Sequence, residues 1–187
     1  IDNPASRDFT SPRGNNVRSN SGKQLLVGVV YDSGGLGDKS FNDSAHAGII
    51  RAKKDFGIEE KSIESKSEKD FEGNLTGMAD AGCDLVVAVG ITQQKALEAV
   101  APKYPNVKFA IVDAPVSAPN VRSLLFTEHE GSFLAGYLAG LTTKTNKVGF
   151  VGGMEIPLIK KFQAGYEAGV KTANPSAEVL PAKYTGN

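Results

Sequence analysis

From residue 24 onward, short apolar runs alternate with amphipathic segments, which is the pattern of βαβ units around a parallel sheet. The run over 25–31 predicts a buried strand, and the helix that follows it is predicted to stop at Gly57. Residues 84–90 are apolar without alternation, so we expect a central strand with helices on both faces. The pattern therefore predicts an α/β protein.

Five further elements complete a first ligand-binding lobe, which we place at residues 23–127. They are a weak edge strand over 61–66, a helix that carries Phe71, Leu75 and Met78 inward and ends at Gly82, a helix over 92–103, and strands over 107–112 and 121–126. The parallel sheet of this lobe resembles a Rossmann fold in its alternation of strand and helix.

After residue 127 the chain changes character. Thr127 and Glu130 predict a capping box for a helix with one apolar face, formed by Phe133, Leu134, Tyr137, Leu138 and Leu141. A strand over 147–151, a helix over 157–172 with Phe162, Tyr166 and Val170 inward, and a strand over 178–184 follow. We expect residues 128–187 to be an incomplete second α/β lobe, since roughly 60 residues are few for a separate domain and no final helix covers its sheet.

Residues 1–22 are rich in Ser, Asn, Pro, Gly and Arg and show no hydrophobic periodicity. This composition is typical of a disordered tail or tether.

Composition limits the classes of function. With 40% hydrophobic and 22% charged residues, and no apolar run of about 18 residues, the sequence predicts a soluble globular protein. The 21 basic and 21 acidic residues balance, so nothing favours a nucleic acid or an anionic membrane surface as partner. Cys83 is the only cysteine, which excludes an internal disulfide and predicts a small buried residue. We expect no cofactor.

Candidate chemistry gathers at the strand ends, because ligands of open parallel sheets bind outside the carboxyl ends of the strands. Asp32, Gly90 with Thr92, and Asp113 follow three predicted strands, while a glycine-rich loop leads to Phe41 and Asn42 in the first helical turn. A planar ring can lie on Phe41, and the amide and carboxylates can bind the polar edge of a base and sugar hydroxyls. This set suits a nucleoside.

The same residues have a structural interpretation that the pattern leaves open. Asp32 and Asp113 can simply cap their own turns, as Asp commonly does. Asn42 can be an ordinary polar residue of a first helical turn, and Phe41 can be a hydrophobic anchor folded under the loop.

Several catalytic and metal sites are not expected. The Lys39-Ser40 pair follows glycines as in a phosphate loop, but Asp38 stands where that motif needs Gly. His46 and His129 lie on different predicted helices without thiol or carboxylate partners at metal-ligand spacing, so no metal site is predicted. No nucleophile elbow is present, and we expect no catalytic residue.

Four ordered motifs identify a family resemblance. The segment over 32–42 closely resembles the entry motif of the basic membrane protein family, the PnrA-like nucleoside-binding lipoproteins that serve ABC importers. The segments over 104–113, 130–136, and 143–145 with 148–153 match in the family's order. The resemblance covers residues from about 23 to 187.

The resemblance implies a type I periplasmic-binding-protein fold, with two lobes around a cleft and a crossing near 126–128. In the family pattern Phe41 resembles the aromatic that stacks on the base, Asn42 and Asp113 resemble polar contacts to the base, and Asp32 resembles a contact to the nucleoside. The family's other ligand residues lie beyond Asn187. After Gly90 the family usually carries bulky residues, whereas Ile91, Thr92, Gln93 and Gln94 stand here, so we expect an altered rim.

The resemblance also implies a function, that of the substrate-binding component of an ABC importer, which binds a purine nucleoside without chemistry. It implies a membrane permease as partner and a place in the periplasm or on the outer face of the bacterial cell membrane, held by a lipid anchor absent from this chain. Alternatives are a sensor or regulatory receptor of the same fold and a nucleoside-acting α/β enzyme. Family members run well past residue 187, so we expect this amino-terminal portion to bind weakly or not at all by itself.

Overall fold

Strands and helices alternate along the chain in the computed structural model, which describes residues 24–186. The tail predicted over 1–22 lies outside the described residues. In what we call the first lobe, residues 24–127, the strands are β1 (Leu26–Tyr31), β2 (Glu59–Glu64), β3 (Leu85–Val89), β4 (Lys108–Val112) and β5 (Val121–Leu124). Its helices are α1 (Phe41–Phe56), α2 (Phe71–Asp80) and α3 (Gln94–Val100).

All five strands pair in parallel, in the order β2-β1-β3-β4-β5. The strand over 84–90 was expected to be central, and β3 does lie in the middle of the sheet. The weak strand is confirmed as the edge strand β2, two residues earlier than predicted. The carboxyl ends of β1, β3 and β4 therefore lie side by side.

Both faces of this sheet carry a hydrophobic core, which explains why β1 and β3 are apolar throughout. Val27, Val29 and Tyr31 of β1 pack on the α1 side, whereas Val30 packs on the other side with the residues of α2 and α3. Cys83 is buried there, as predicted, and its Sγ would lie 3.0 Å from a Cβ on Gly28. The predicted α/β class is confirmed.

The predicted helix over 92–103 is shorter than expected. Its α-helical part is α3, flanked by 3-10 turns at Ile91–Gln93 and Ala101–Lys103. Pro102 has no N–H to donate, so the α-helical hydrogen-bond pattern cannot run through it.

The second lobe, residues 128–186, has two helices and four short strands. These are α4 (Glu128–Thr142), β6 (Lys147–Val148), β7 (Val151–Gly152), α5 (Pro157–Ala173), β8 (Glu178–Val179) and β9 (Lys183–Tyr184). The two strands predicted over 147–151 and 178–184 are each split, giving parallel pairs β6-β8 and β7-β9. Pro181 lies at the break in the second and cannot donate to a ladder.

Two predictions about the second lobe are wrong in detail. Thr127 makes no side-chain capping bond. Its carbonyl instead accepts the Glu130 N–H at 2.9 Å, and its ψ of 63° is not the extended conformation of a usual N-cap. Phe162 does not point inward, since it is 37% exposed, although Val170 is fully buried as expected.

No helix among residues 24–186 combines the length and the apolar character that crossing a membrane requires.

Candidate ligand-binding site

Asp38 caps α1 and fixes the end of the loop that leads from β1. Its Oδ1 accepts the Ser40 N–H at 2.9 Å, and its Oδ2 accepts the Asn42 N–H at 2.8 Å. These bonds, the one from Asn42 above all, lower the pKa of Asp38 to about 2. Ser40 is the N-cap residue of α1, but its side chain makes no capping hydrogen bond, so Asp38 takes that role.

Two other carboxylates hold the rest of this loop. Asp43 accepts the N–H groups of Gly37 at 2.8 Å and Lys39 at 2.9 Å, and Glu64 at the end of β2 accepts the Leu36 N–H at 2.8 Å. Gly37 has a φ of 91°, which a residue with a Cβ rarely adopts. The loop is therefore a fixed scaffold in which acidic side chains bind main-chain donors.

Asp32 and Asn42 form a mutual pair at the end of β1. Asn42 Nδ2 donates to Asp32 Oδ1 at 2.8 Å and to Asp38 Oδ2 at 3.2 Å, and the Asp32 N–H donates to Asn42 Oδ1 at 3.3 Å. Asn42 is only 2% exposed, so both ends of its amide are engaged inside the protein. Asp32 Oδ1 also accepts the Gly34 N–H at 2.8 Å. Asp32 therefore caps its own turn, which was one of the two interpretations of this residue.

The second oxygen of Asp32 faces Gly90, the residue that follows β3. A Cβ on Gly90 would lie 3.3 Å from Asp32 Oδ2 and 3.4 Å from Phe41 Cε1. Gly90 has a φ of 109°, a region open almost only to glycine. Phe41, Asp32 and Gly90 therefore converge on one point at the carboxyl edge of the sheet.

Phe41 has the anchoring role that was one of the two interpretations of its position. It is the first residue of α1, and its ring packs against the core on the α1 face of the sheet. The side chain is nevertheless only half-buried, so part of it is accessible to a ligand.

Asp113 follows the neighbouring strand β4 in an unusual conformation. Its φ is 66°, a left-handed value that Asp tolerates better than most residues, and its N–H donates to the Leu124 carbonyl at 2.9 Å. Burial, and then the charge of Glu128, raises the pKa of Asp113. A half-buried carboxylate at this point favours a ligand that brings hydrogen-bond donors.

Glu128, the first residue of α4, was not identified from the sequence. Its side chain is 5% exposed and lies 3.5 Å from Lys161 Nζ, an ion pair that ties α4 to α5. Neither of its carboxylate oxygens has a hydrogen-bond partner among the described residues. Its signal in the sequence was only an acidic residue in a first helical turn, which is common and uninformative.

Gln93 is the second residue that sequence reasoning missed. It is fully buried, and its Nε2 donates to the Val30 carbonyl at 2.8 Å and the Val89 carbonyl at 3.0 Å, so it joins the ends of β1 and β3 directly beside Asp32 and Gly90. From its sequence position, Gln93 was expected at the rim. Thr92, in contrast, is exposed on the 3-10 turn after Gly90.

The arrangement brings the half-buried ring of Phe41, the Asp32 Oδ2 atom and the Gly90 backbone within a few ångströms of one another. Among residues 24–186 there is no cluster of three or more His, Cys, Asp or Glu side chains that could hold a metal ion. His46 is engaged elsewhere, its Nδ1 lying 3.0 Å from the Tyr31 hydroxyl. The edge is equipped to bind an aromatic ligand that carries hydrogen-bond donors.

Comparison with known proteins gives consistent relatives. A family model described as ABC transporter substrate-binding protein, PnrA-like, matches residues 25–187. A CD4+ T-cell-stimulating antigen of Listeria monocytogenes is 41% identical over 165 residues, which are 85% of this chain and 46% of that protein. The ABC transporter nucleoside-binding protein BmpA of Lactococcus lactis is 33% identical over 94% of this chain and 52% of its own length.

A solved structure shares the fold. The ABC transporter solute-binding protein of Aeropyrum pernix superposes with a TM-score of 0.78 at 36% identity, over 87% of this chain and 48% of that one. The type I periplasmic-binding-protein fold expected from the sequence is confirmed. The chain spans about half the length of the curated relatives it matches.

Proposed function

Because this chain belongs to the family of PnrA-like ABC transporter substrate-binding proteins, we propose that Asp32, Phe41 and Gly90 form the first-lobe wall of a nucleoside-binding cleft. The observation that carries the proposal is their convergence, with Asp32 Oδ2 and Phe41 Cε1 both within 3.4 Å of the point where a Gly90 Cβ would lie. A glycine at that point lets the Asp32 carboxylate and the Phe41 ring lie close to the end of β3, where a side chain would crowd them.

Each residue has a distinct role in this proposal. Phe41 stacks on the base, and Asp32 Oδ2 and Asp113 accept hydrogen bonds from the base or the ribose. Asn42 holds the Asp32 carboxylate in place, because its own amide is already bonded to Asp32 and Asp38. Direct contact of Asn42 with a base requires the release of one of these bonds. Thr92 lies at the rim and contacts the outer part of the ligand.

The role that we propose for the whole protein is that of a receptor that delivers a purine nucleoside to an ABC permease, without chemistry on the ligand. The name of the Lactococcus lactis relative, a nucleoside-binding protein, supports this ligand class. We place the protein in the periplasm or on the outer face of the cell membrane, held by a lipid anchor. In this proposal the first lobe contacts only one side of the ligand, so the chain by itself is expected to bind weakly.

The test is a titration of this chain with inosine in the millimolar range, comparing Phe41→Ala with Phe56→Ala. Both variants lose a phenylalanine from α1, but Phe56 is 75% exposed at the far end of the helix. Stacking is worth about 1–3 kcal/mol per base, so Phe41→Ala should weaken binding by roughly 5- to 150-fold. Phe56→Ala should leave the affinity unchanged.

Thermal unfolding of both variants checks that each is folded at the titration temperature. Equal affinities for inosine in the folded Phe41→Ala variant and the unsubstituted chain would overturn the assignment of Phe41. Absence of binding to every purine nucleoside tried, both by the unsubstituted chain and by a chimera in which it replaces the matched 183 residues of the Lactococcus lactis relative, would overturn the proposed ligand class.

A further inference from the structure

Gln93 lies where strands β1 and β3 separate. The parallel pairing of β1 with β3 ends at Val30, and the chain then leads from β1 to Asp32 and from β3 to Gly90. Gln93 Nε2 donates to the carbonyl oxygens of Val30 at 2.8 Å and Val89 at 3.0 Å, at the end of this pairing. One buried side chain therefore joins the two strands at the point from which their ends diverge.

The backbone of Gln93 is fixed at the same place. Gly90 turns the chain with a φ of 109°, and the Gln93 N–H donates to the Gly90 carbonyl at 3.2 Å. The 3-10 turn that follows Gly90 therefore brings residue 93 back to the strand ends, where its amide reaches both carbonyls. The turn and the side chain are tied to one edge of the sheet.

The two carbonyls that Gln93 binds stand next to the proposed wall of the cleft. Val30 is two residues before Asp32, and Val89 directly precedes Gly90. Asp32 Oδ2 lies only 3.3 Å from the point where a Gly90 Cβ would be, so a small change in the separation of the strand ends alters this arrangement. Gln93 itself is fully buried, so it acts on a ligand through these two residues.

The amide of Gln93 is only partly satisfied. Its Oε1 is buried and has no hydrogen-bond partner among the described residues. Burying an unpaired amide oxygen costs free energy of folding. A methionine of similar length would avoid that cost but would leave the two strand carbonyls without this donor. Because the two costs oppose each other, the bonds of Gln93 add little net stability, and their main effect is on the position of the strand ends.

We propose that Gln93 is a positioning residue of the first-lobe wall, which holds the Asp32 carboxylate and the Gly90 backbone at the separation that a ligand meets. This role rests on the proposed function and deepens it, because the affinity of the cleft then depends on a residue that the ligand does not touch. Substitution of Gln93 should therefore change affinity more than it changes stability.

The test compares Gln93→Met with Asn120→Leu in this chain. Asn120 is also buried, and its Nδ2 donates to the carbonyls of Ala101, Tyr104 and Val107, at the opposite, amino end of the sheet. Both substitutions replace a buried amide by an apolar side chain of similar size. Because Asn120→Leu removes three donated bonds and Gln93→Met removes two, Asn120→Leu should lower the unfolding temperature more.

The affinity for inosine should change in the reverse order. We expect Gln93→Met to weaken inosine binding by roughly 2- to 12-fold, which corresponds to one hydrogen bond lost through a displaced Asp32. Asn120→Leu should leave the affinity unchanged at a temperature where both variants are folded. An affinity loss that follows the loss of unfolding temperature in the two variants would overturn the inference, because Gln93 would then be a structural residue only.

A second readout uses no nucleoside. The N–H groups of Asp32 and Gly34 donate to side chains of the site at 3.3 and 2.8 Å, and neither bond involves Gln93. Hydrogen exchange of these two amides should become faster in Gln93→Met and not in Asn120→Leu, because local opening is separate from global unfolding. Unchanged exchange in Gln93→Met would contradict the positioning role whether or not inosine binds, so this role and the proposed ligand fail separately.

Gln93→Asn is the second variant, used if Gln93→Met does not fold. It keeps the amide but is one methylene shorter, so it cannot reach both strand carbonyls without a movement of the turn. We expect weaker inosine binding and faster exchange of the Asp32 amide here too. Values equal to those of the unsubstituted chain would show that the length and bonds of Gln93 do not set the geometry of the wall.

Discussion

The acidic side chains around the strand ends fall into two groups according to what they contact. Asp38, Asp43 and Glu64 accept main-chain N–H groups and so hold the loop after β1. Asp32 keeps one oxygen directed at Gly90, and Asp113 is half-buried beside the charge of Glu128. The first group is scaffold, and the second is what a ligand with hydrogen-bond donors can bind.

Asp113→Asn should stabilise the unliganded chain at pH 7 and weaken its binding of inosine. The pKa of Asp113 is raised in the folded state, so its ionised form is disfavoured there. Such a group contributes stability below its unfolded pKa of about 4, and this contribution is lost as the pH rises through the folded pKa. Unfolding temperatures of both proteins between pH 3 and pH 7 give the measurement.

The stabilisation by Asp113→Asn should therefore shrink as the pH falls through the raised pKa of folded Asp113, and it should be gone below about 4, where the carboxyl group is neutral in the folded and the unfolded chain alike. Asn also tolerates the left-handed φ of 66°, so backbone strain does not confuse the comparison. A stabilisation of equal size at pH 3 and pH 7 would show that the charge of Asp113 is not its cause.

Among the elements, the contact of α4 with α5 depends most sharply on the absence of side chains. Gly165→Ala should destabilise the second lobe by about 1–3 kcal/mol, because its Cβ would lie 2.1 Å from the His129 carbonyl oxygen and the helices must separate. Hydrogen exchange of the α4 and α5 amides, compared with those of β1 and β3, measures the effect.

Gly77→Ala is the matched control for Gly165→Ala. Gly77 is exposed inside α2 and nothing lies within 4 Å of its Cβ position, so alanine should stabilise α2 by about 0.5–1 kcal/mol. Faster exchange in α4 and α5 is expected for Gly165→Ala only. Unchanged exchange there would contradict the close backbone packing.

Element positions were predictable where burial alone determines the pattern. The apolar runs at β1 and β3 are buried on both faces, and Gly57 ends α1 in a left-handed conformation as expected. The N-terminal cap of α1 was not predictable, because Asp38 binds the first turn of α1 from within a loop whose path depends on Asp43 and Glu64. The apolar face of α4 was predicted, but its packing through glycines was not.

In the candidate site, too, some residues were predictable from the sequence and others were not. Asp32, Phe41 and Gly90 could be grouped in advance, because parallel strands bring their carboxyl ends to one edge. Gln93 could not, since a glutamine at the start of a helix is ordinarily exposed. Here it is buried because two strand carbonyls, from Val30 and Val89, need a donor at that point.

For the molecule as a whole, the two lobes differ in how far each supports itself. The first has a five-stranded sheet with core on both faces, whereas the second has two buried hydrophobic residues and exposed leucines on α4. In the proposed cleft, the first lobe therefore supports its wall with its own core, which the second lobe lacks. The chain can therefore bind the proposed ligand weakly even though its first-lobe wall is intact.

The most direct test is an amide chemical-shift titration of this chain with inosine. We predict saturable shifts at Gly34, Asn42 and Gly90, which surround Asp32, and none at Gly77 on α2. Shifts confined to Phe133 and Ala168, in the groove between α4 and α5, or no shift at Gly90 when inosine is in large excess, would contradict the proposed nucleoside site.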